Sequence, residues 1–300
     1  MLPRYYYSDH YTLEWGSHVF PTHKYRRIKE RLLAEGDAQP AQFAEPPRAT
    51  RAELLRVHTE SYLTRLDKLT ETPELGMFEF EAPCTRAVLD AFEWMAGGTI
   101  AAARAALQSG LCFNLGGGFH HAFAHKGEGF CALNDIAVAI RVMQAEGRIT
   151  RAAVIDLDLH QGNGTAKIFA GDPSVFTFSI HQENNYPVKQ RSSLDIGLDD
   201  YAGDEVYLAA LARGLPEVLA SKPELVVYVA GADPFAEDQL GLLRLSKAGF
   251  EQRDRMVFTS CLAAGAAVAP TLAGGYARDF EDVVDIHVRM VRAGLAAKGW

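Results

Sequence analysis

The sequence predicts an α/β protein in which helices cover both faces of a parallel sheet. Short apolar runs of strand length alternate along the chain with longer segments of helical character. Such alternation produces parallel strand–helix–strand crossovers, and the resulting sheet is buried on both faces. The 300 residues are 48% hydrophobic and 23% charged, which indicates a folded globular chain rather than a disordered, collagen-like or coiled-coil one.

Predicted helices and strands follow one another in order. Helices are expected over residues 23–35, 51–69, 86–110, 134–147, 204–221 and 253–264. Strands are expected within the apolar runs at residues 111–118, 152–160, 174–181, 224–233 and 267–276. The proline-containing segment 36–50 is short and is interpreted as a surface loop between helices. We therefore expect residues 1–300 to form one domain.

The charge balance argues against a nucleic-acid partner. Thirty Lys and Arg residues against 38 Asp and Glu residues give a net charge of −8. An acidic chain has no overall positive field to attract phosphates. A short basic run is interpreted as one solvated helix face: Lys24, Arg26, Arg27, Lys29 and Arg31.

Neither end of the chain predicts a membrane segment, and the cysteines predict a reducing compartment. Residues 1–15 lack the basic-then-apolar pattern of a signal peptide. The apolar stretch 261–277 is broken by Pro270 and is interpreted as a helix end followed by a strand. The four cysteines of the chain are far apart, with no C-x-x-C pair, so we expect a cytoplasmic protein. The sequence does not indicate an oligomeric state.

Polar side chains and glycines follow every predicted strand. In a parallel sheet the carboxyl ends of the strands share one edge, where ligands bind, so these groups are expected to be neighbours. In chain order they are His120 and His121 after Gly116–Gly118, then Asp156, Asp158 and His160, then Ser179 and His181, then Asp233, and finally Tyr276 after two glycines.

The D-x-D-x-H segment points to a metal site. On a strand, Asp156, Asp158 and His160 would share one face, because alternate side chains point the same way. Converging carboxylates would repel one another without a cation. With Asp233, two carboxylates and an imidazole give the three-ligand pattern of catalytic zinc, although iron(II) or manganese would also suit it. Alone, the segment could be a capping Asp and a buried histidine.

Five motifs occur in a characteristic order: G-G-G-F-H-H-A, G-E-G-F-C-A-L-N-D, D-L-D-L-H-Q-G-N-G, A-G-A-D and A-G-G-Y. In that order they resemble the zinc-dependent histone deacetylase superfamily. The resemblance extends from Lys24 through the C-terminal helix. Gln161, Asn163 and the run 238–254 are similar to class IV members and their bacterial relatives. The resemblance to the superfamily implies a single-domain arginase/deacetylase fold with a central parallel sheet of about eight strands. It also implies hydrolysis of an N-acyl amide such as acyl-lysine.

The resemblance also implies roles, position by position. The matching residues are Asp158, His160 and Asp233 (zinc ligands), His121 (general base and later acid), His120 with its partner Asp156 (electrostatic), Tyr276 (hydrogen bond to the substrate carbonyl), Gly129 and Phe130 (one wall of the acyl-lysine channel) and Tyr186 (the opposite wall). Family members also bind a monovalent cation, so potassium is expected at Asp156, Asp158, His160, Ser179 and Ile180.

Three positions depart from the family pattern. Asn163 stands where class I members have an aspartate behind the second histidine. An amide holds the imidazole tautomer but supplies no negative charge, so we expect His121 to be harder to protonate than in class I. Phe119 replaces a small polar residue, and Tyr186 replaces a phenylalanine, which leaves the preferred acyl chain open.

The leading hypothesis is a metal-dependent deacylase of acyl-lysine in proteins or peptides. The alternative within enzymes is a hydrolase of small acylated amines such as acetylpolyamines, for which Glu183 is the candidate acidic residue at the channel mouth. A non-catalytic acyl-lysine reader would lack a ligand or the tyrosine, and none is missing. An arginase-like enzyme would need a second set of aspartate ligands.

Overall fold

Eight parallel strands form the centre of the protein in a computed structural model that describes residues 4–12, 15–16 and 18–300. The prediction that residues 1–15 carry no signal peptide falls partly on residues 1–3 and 13–14, which lie outside the described residues. The strands are β1 (Tyr5–Tyr6), β2 (Phe43–Ala44), β3 (Phe113–Asn114), β4 (Ala152–Asp156), β5 (Val175–Gln182), β6 (Leu194–Leu198), β7 (Leu225–Val229) and β8 (Ala267–Thr271).

The strands form two sheets that meet edge to edge. The larger has the order β6-β5-β4-β7-β8 and the smaller β2-β1-β3. A parallel bridge between Leu111 and Val268 joins them, and the Cys112 N–H donates to the Val268 carbonyl at 3.2 Å. The α/β class and the parallel sheet of about eight strands are therefore confirmed, with the strands divided between two sheets.

Helices enclose this sheet layer. They are α1 (Lys24–Ala34), α2 (Arg51–Leu54), α3 (Glu60–Leu69), α4 (Gly76–Glu79), α5 (Arg86–Ser109), α6 (Asp135–Ala145), α7 (Asn163–Ile168), α8 (Asp204–Ala220), α9 (Lys247–Ala263) and α10 (Phe280–Lys298). Strands β4, β7 and β8 are buried at every residue, as expected when helices cover both faces. Helices α5 and α9 pack against β8, α8 packs against β5, and α10 packs against α9.

Local capping explains where the helices differ from the prediction. The segment 51–69, predicted as one helix, is two, because Thr59 accepts a hydrogen bond from the Tyr62 N–H and begins α3 anew. Between them His58 turns inward and accepts the Asn134 N–H at 3.0 Å. Helix α9 begins at Lys247, six residues before the predicted start, because Ser246 caps it through the Gly249 N–H.

Three strands were not predicted. Strands β1 and β2 contain two residues each and are formed only by pairing with distant segments. Strand β6 reads L-D-I-G-L, and its positions alternate between partly buried and exposed up to the buried Leu198, so it lacks the apolar run that marks the buried strands. Among the described residues, no helix has the length and apolar character needed to cross a bilayer.

Candidate active site

Two neighbouring strands deliver the candidate metal ligands. Strands β4 and β7 pair with Asp156 opposite Val229, so the loops that follow them are adjacent. Asp158 and His160 lie in the loop after β4, and Asp233 lies in the loop after β7. All three are buried, and one ligand atom from each lies within 4.8 Å of the others. The strand ends at Asp156, so the loop, and not strand alternation as we expected, brings Asp158 and His160 to this position.

Backbone amides orient the two carboxylates. The Gly274 N–H donates to Asp158 Oδ2 at 2.9 Å, and the Leu159 N–H donates to Asp233 Oδ1 at 2.8 Å. A Cβ at Gly274 would lie 2.2 Å from Asp233 Oδ2, so only glycine allows this approach. Each carboxylate is therefore held in place by the segments that surround the site.

The three side chains fit a metal ion. Asp233 Oδ2 is buried without a hydrogen-bond partner among the described residues, although His160 Nδ1 lies 3.3 Å away. Burial and the Asp158 carboxylate raise the pKa of Asp233 to about 6. A cation between the carboxylates would give the buried Asp233 oxygen a partner and would offset the repulsion between the two negative charges. Two carboxylate oxygens and an imidazole nitrogen match the donor set of catalytic zinc.

Two consecutive histidines lie beside this cluster, and each has a different partner. His120 Nδ1 lies 2.7 Å from Asp156 Oδ2, and His121 Nδ1 lies 2.8 Å from Asn163 Oδ1. Burial disfavours the charged form of His120, but the carboxylates of Asp156 and Asp158 outweigh it and raise its pKa to about 9. Burial, together with the neighbouring His120 and His160, holds the pKa of His121 well below its usual range.

A cavity of about 210 Å³ leads to these groups. The His121 and His160 rings lie 5.4 and 6.1 Å from the ring of Tyr186, and the Phe130 ring lies 6.2 Å from that of Tyr276. The lining is therefore largely aromatic. It consists of Glu81, His121, Gly129, Phe130, His160, Asn185, Tyr186, Leu240 and Tyr276.

A tight turn presents one wall of the cavity. Glu128 and Cys131 exchange backbone hydrogen bonds at 3.2 and 3.0 Å, and Gly129 and Phe130 lie between them. Both central residues have positive φ, at 54° and 65°. Two-residue hairpin turns of type I′ require positive φ at both positions. The turn thus places the Phe130 ring in the cavity at the cost of a left-handed backbone.

Comparison with known proteins identifies the family. The histone deacetylase domain model matches residues 18–291. The chain belongs to the histone deacetylase family. It is 43% identical to an uncharacterised protein of Picosynechococcus over 97% of both chains. It is 33% identical to histone deacetylase 2 of Arabidopsis thaliana, covering 96% of this chain and 79% of the relative. The crystal structure of the HDA15 HD domain superposes with a TM-score of 0.81 at 24% identity, covering 98% of this chain and 93% of that one.

In this histone deacetylase-family hydrolase, one basic residue lies at an unexpected place. Lys24 is fully buried rather than on a solvated face. Its Nζ donates to the carbonyls of Ala273 and Gly274 at 2.5 and 3.1 Å. Burial lowers its pKa to about 8, although nearby carboxylates, among them Asp233, oppose this. Lys24 is buried because the backbone carbonyls of the A-G-G-Y loop accept hydrogen bonds from its ammonium.

The same loop carries Tyr276. Its backbone N–H donates to Asp238 Oδ2 at 2.8 Å, while the Leu240 N–H donates to Asp238 Oδ1 at 2.8 Å. Asp238 therefore ties the tyrosine loop to the segment after Asp233. Tyr276 is 6% exposed, and its ring lies 5.8 Å from that of Phe20.

The acidic residue at the cavity mouth is Glu81, not Glu183. The Glu81 carboxylate Oε1 accepts the Tyr186 hydroxyl at 3.1 Å and the Gly129 N–H at 3.2 Å, and it lines the cavity. Glu183 is exposed beside His181, with 3.8 Å between its Oε2 and His181 Nε2, and it does not line the cavity. Sequence reasoning missed Glu81 because no motif surrounds it.

The residues expected to bind potassium lie on the adjacent strands β4 and β5 and in the loop that follows β4. Asp156 of β4 pairs with Ser179 of β5, and buried Ile180 follows. The Ser179 hydroxyl lies 2.9 Å from His181 Nδ1. The potassium site stays a prediction.

Proposed function

We propose that the protein is a zinc-dependent hydrolase that removes acetyl or longer acyl groups from the Nε of lysine in proteins or peptides. The observation that carries the proposal is the buried Asp158–His160–Asp233 set beside an aromatic cavity that His121 and Tyr276 also line. From the family resemblance we also propose one catalytic domain over residues 1–300, a class IV-like enzyme and a potassium ion beside β4 and β5. From the spacing of the cysteines we propose a cytoplasmic location.

The cavity suits an acylated lysine. The rings of Phe130 and Tyr186 provide apolar walls for a methylene chain, and the polar groups lie together beside the candidate ligands. Zinc held by Asp158, His160 and Asp233 would supply a Lewis acid for the acyl carbonyl and a water of lowered pKa.

His121 is proposed as the general base and later the acid. Its Nδ1 faces the Asn163 oxygen, so Nδ1 carries the proton and Nε2 has a free lone pair. Because burial keeps the imidazole neutral, Nε2 can take a proton from water and return it to the leaving amine.

Two further residues complete the proposed machinery. The Tyr276 hydroxyl would donate to the oxygen of the acyl carbonyl, on which negative charge develops. His120, kept protonated by Asp156, would place a positive charge beside the reacting groups. Neither residue needs to transfer a proton in this scheme.

A panel of substrates tests the proposal. We expect turnover of acetyl-, butyryl-, octanoyl- or myristoyl-lysine peptides that a chelator abolishes and added zinc restores. Asp233→Ala should lose both turnover and bound zinc, which metal analysis of the purified protein would measure. Turnover that resists the chelator, or Asp233→Ala protein with full activity, would contradict the metal-dependent mechanism.

Glu81 supports a second candidate, the hydrolysis of small acylated amines. A carboxylate at the mouth would attract the distant ammonium of an acetylpolyamine. Glu81→Gln keeps a hydrogen-bond acceptor for Tyr186 but removes the charge. If polyamines are the substrates, this variant should raise their KM while leaving the KM of uncharged acetyl-lysine peptides unchanged. Equal effects on both would favour the peptide substrate.

A further inference from the structure

A carboxylate lies directly behind Asn163, one hydrogen bond further from the cavity than His121. Asn163 Nδ2 donates to Glu128 Oε1 at 2.7 Å. The other oxygen, Glu128 Oε2, forms an ion pair with the Lys126 ammonium. The Glu128 side chain is 18% exposed, so most of it is shielded from water. His121, Asn163 and Glu128 thus form a continuous chain from the cavity toward the surface.

The contacts of Asn163 determine which way its amide faces. Its Oδ1 accepts the Gly164 N–H at 2.9 Å and faces His121 Nδ1 at 2.8 Å, while its Nδ2 donates to Glu128. If the amide were rotated by half a turn, its NH₂ would face the Gly164 N–H and its oxygen would face a carboxylate. Both contacts would then be repulsive, because donor would meet donor and acceptor would meet acceptor.

The position of Glu128 is fixed by the turn described above. Its backbone exchanges hydrogen bonds with Cys131, and the same turn presents Phe130 to the cavity. The carboxylate therefore reaches Asn163 from a backbone that is already held in place. Its role would be to fix the orientation of the Asn163 amide, and through it the tautomer of the His121 imidazole, before any substrate binds.

We propose that Glu128 is a positioning residue that fixes the Asn163 amide and thereby keeps the proton of His121 on Nδ1 and the lone pair on Nε2. This inference deepens the proposed function, in which His121 acts as the base. It accounts for the amide where class I relatives have an aspartate: an amide has two different ends, so it needs a second group to choose between them. A carboxylate has two equivalent oxygens and needs none.

Paired variants test the proposal. Glu128→Leu removes the acceptor of the Asn163 NH₂, and we expect kcat to fall about tenfold while KM changes by less than about twofold. Glu128→Gln keeps a carbonyl oxygen and should restore most of kcat. Lys126→Met removes the ion pair but not the contact with Asn163, so it is the matched control and should keep wild-type kcat.

A spectroscopic readout separates positioning from folding. Protein labelled with ¹⁵N-histidine reports the tautomer of His121, whose signals are assigned by their loss in His121→Ala. We expect the Nδ1–H tautomer in the wild type and Glu128→Gln, and a mixture of tautomers in Glu128→Leu. The tautomer measurement needs no turnover, so it tests the role of Glu128 even if the proposed function is wrong. A failure of the proposed function would be seen separately, as full activity in His121→Ala.

The Asn163→Asp background provides the decisive comparison. A carboxylate at position 163 has no orientation to choose, so adding Glu128→Leu there should leave kcat unchanged or raise it, because two facing carboxylates repel. The inference is overturned if Glu128→Leu leaves the tautomer and kcat of the wild type unchanged. It is also overturned if Glu128→Leu lowers kcat in the Asn163→Asp background by as much as it does in the wild type.

Discussion

His120 and His121 are adjacent in the chain and equally buried, yet their surroundings favour opposite charges. They are 3% and 4% exposed. The partner of His120 is the carboxylate of Asp156, which helps raise its pKa to about 9. The partner of His121 is the amide of Asn163, and burial leaves its pKa well below the usual range. The charge of the partner, and not the extent of burial, decides the protonation of each ring.

Removing each imidazole should show how different the two roles are. We expect His121→Ala to lower kcat by about 10³-fold, the middle of the range for a general base, and His120→Ala to lower it less. Steady-state kinetics on an acetyl-lysine peptide would measure both, with bound zinc as the control for an intact site. Equal losses would contradict the assignment of His121 alone as the proton carrier.

A third buried histidine, His58, extends the comparison to a ring that has no carboxylate partner among the described residues. Burial lowers its pKa to about 4. Because the unfolded chain binds this proton below pH 6.5 and the folded chain does not, the free energy of unfolding should fall as the pH falls from 6.5 to 4. The loss from this one ring is on the order of 3 kcal/mol.

Denaturant unfolding at a series of pH values checks this expectation. His58→Gln removes the titrating group, so its free energy of unfolding should change less than that of the wild type between pH 6.5 and 4. A variant that loses as much stability as the wild type would show that His58 does not contribute.

Converting the partner of His120 into an amide should make it resemble His121. Asp156→Asn removes the negative charge that favours the protonated ring, so the pKa of His120 should fall and kcat should drop roughly 10- to 100-fold. Histidine NMR titration and kcat would be measured together. A kcat that falls without any change in the titration of His120 would point to a structural effect instead.

The reverse exchange should have the smallest effect. Asn163→Asp places a carboxylate beside His121 and should raise its pKa, because a nearby negative charge favours the protonated form. As the pH falls, the imidazole is then protonated, and can no longer act as a base, at a higher pH than in the wild type. The acid limb of the kcat/KM profile should therefore move up by about one pH unit. Unchanged limbs would contradict the proposed role of this residue pair.

Local pattern predicted the buried strands and most helices, since their signals lie within short stretches of chain. The convergence of polar groups after β4 and β7 also followed from the rule for parallel sheets. Pairing between distant segments was not predictable, which explains why β1 and β2 were missed.

The site was predictable where motifs mark it and not where single side chains enter from elsewhere. Glu81 reaches the cavity from a segment without a motif. Glu128 belongs to the G-E-G-F-C-A-L-N-D motif, but the motif gives no sign that this side chain contacts Asn163. Lys24 was expected in solvent because a charge in an amphipathic helix usually lies there. Its carbonyl partners are 249 and 250 residues away in the chain, beyond the reach of any local pattern.

That separation also affects how the protein matures during synthesis. Until the ribosome has released the segment containing Ala273 and Gly274, the ammonium of Lys24 cannot bind their carbonyls, and helix α1 lacks this contact. The tyrosine loop and the first helix must therefore be completed together, after β8 has been synthesised. A nascent chain that stops before β8 would expose α1 to chaperones and proteases, and the site would be assembled only after Tyr276 has been synthesised.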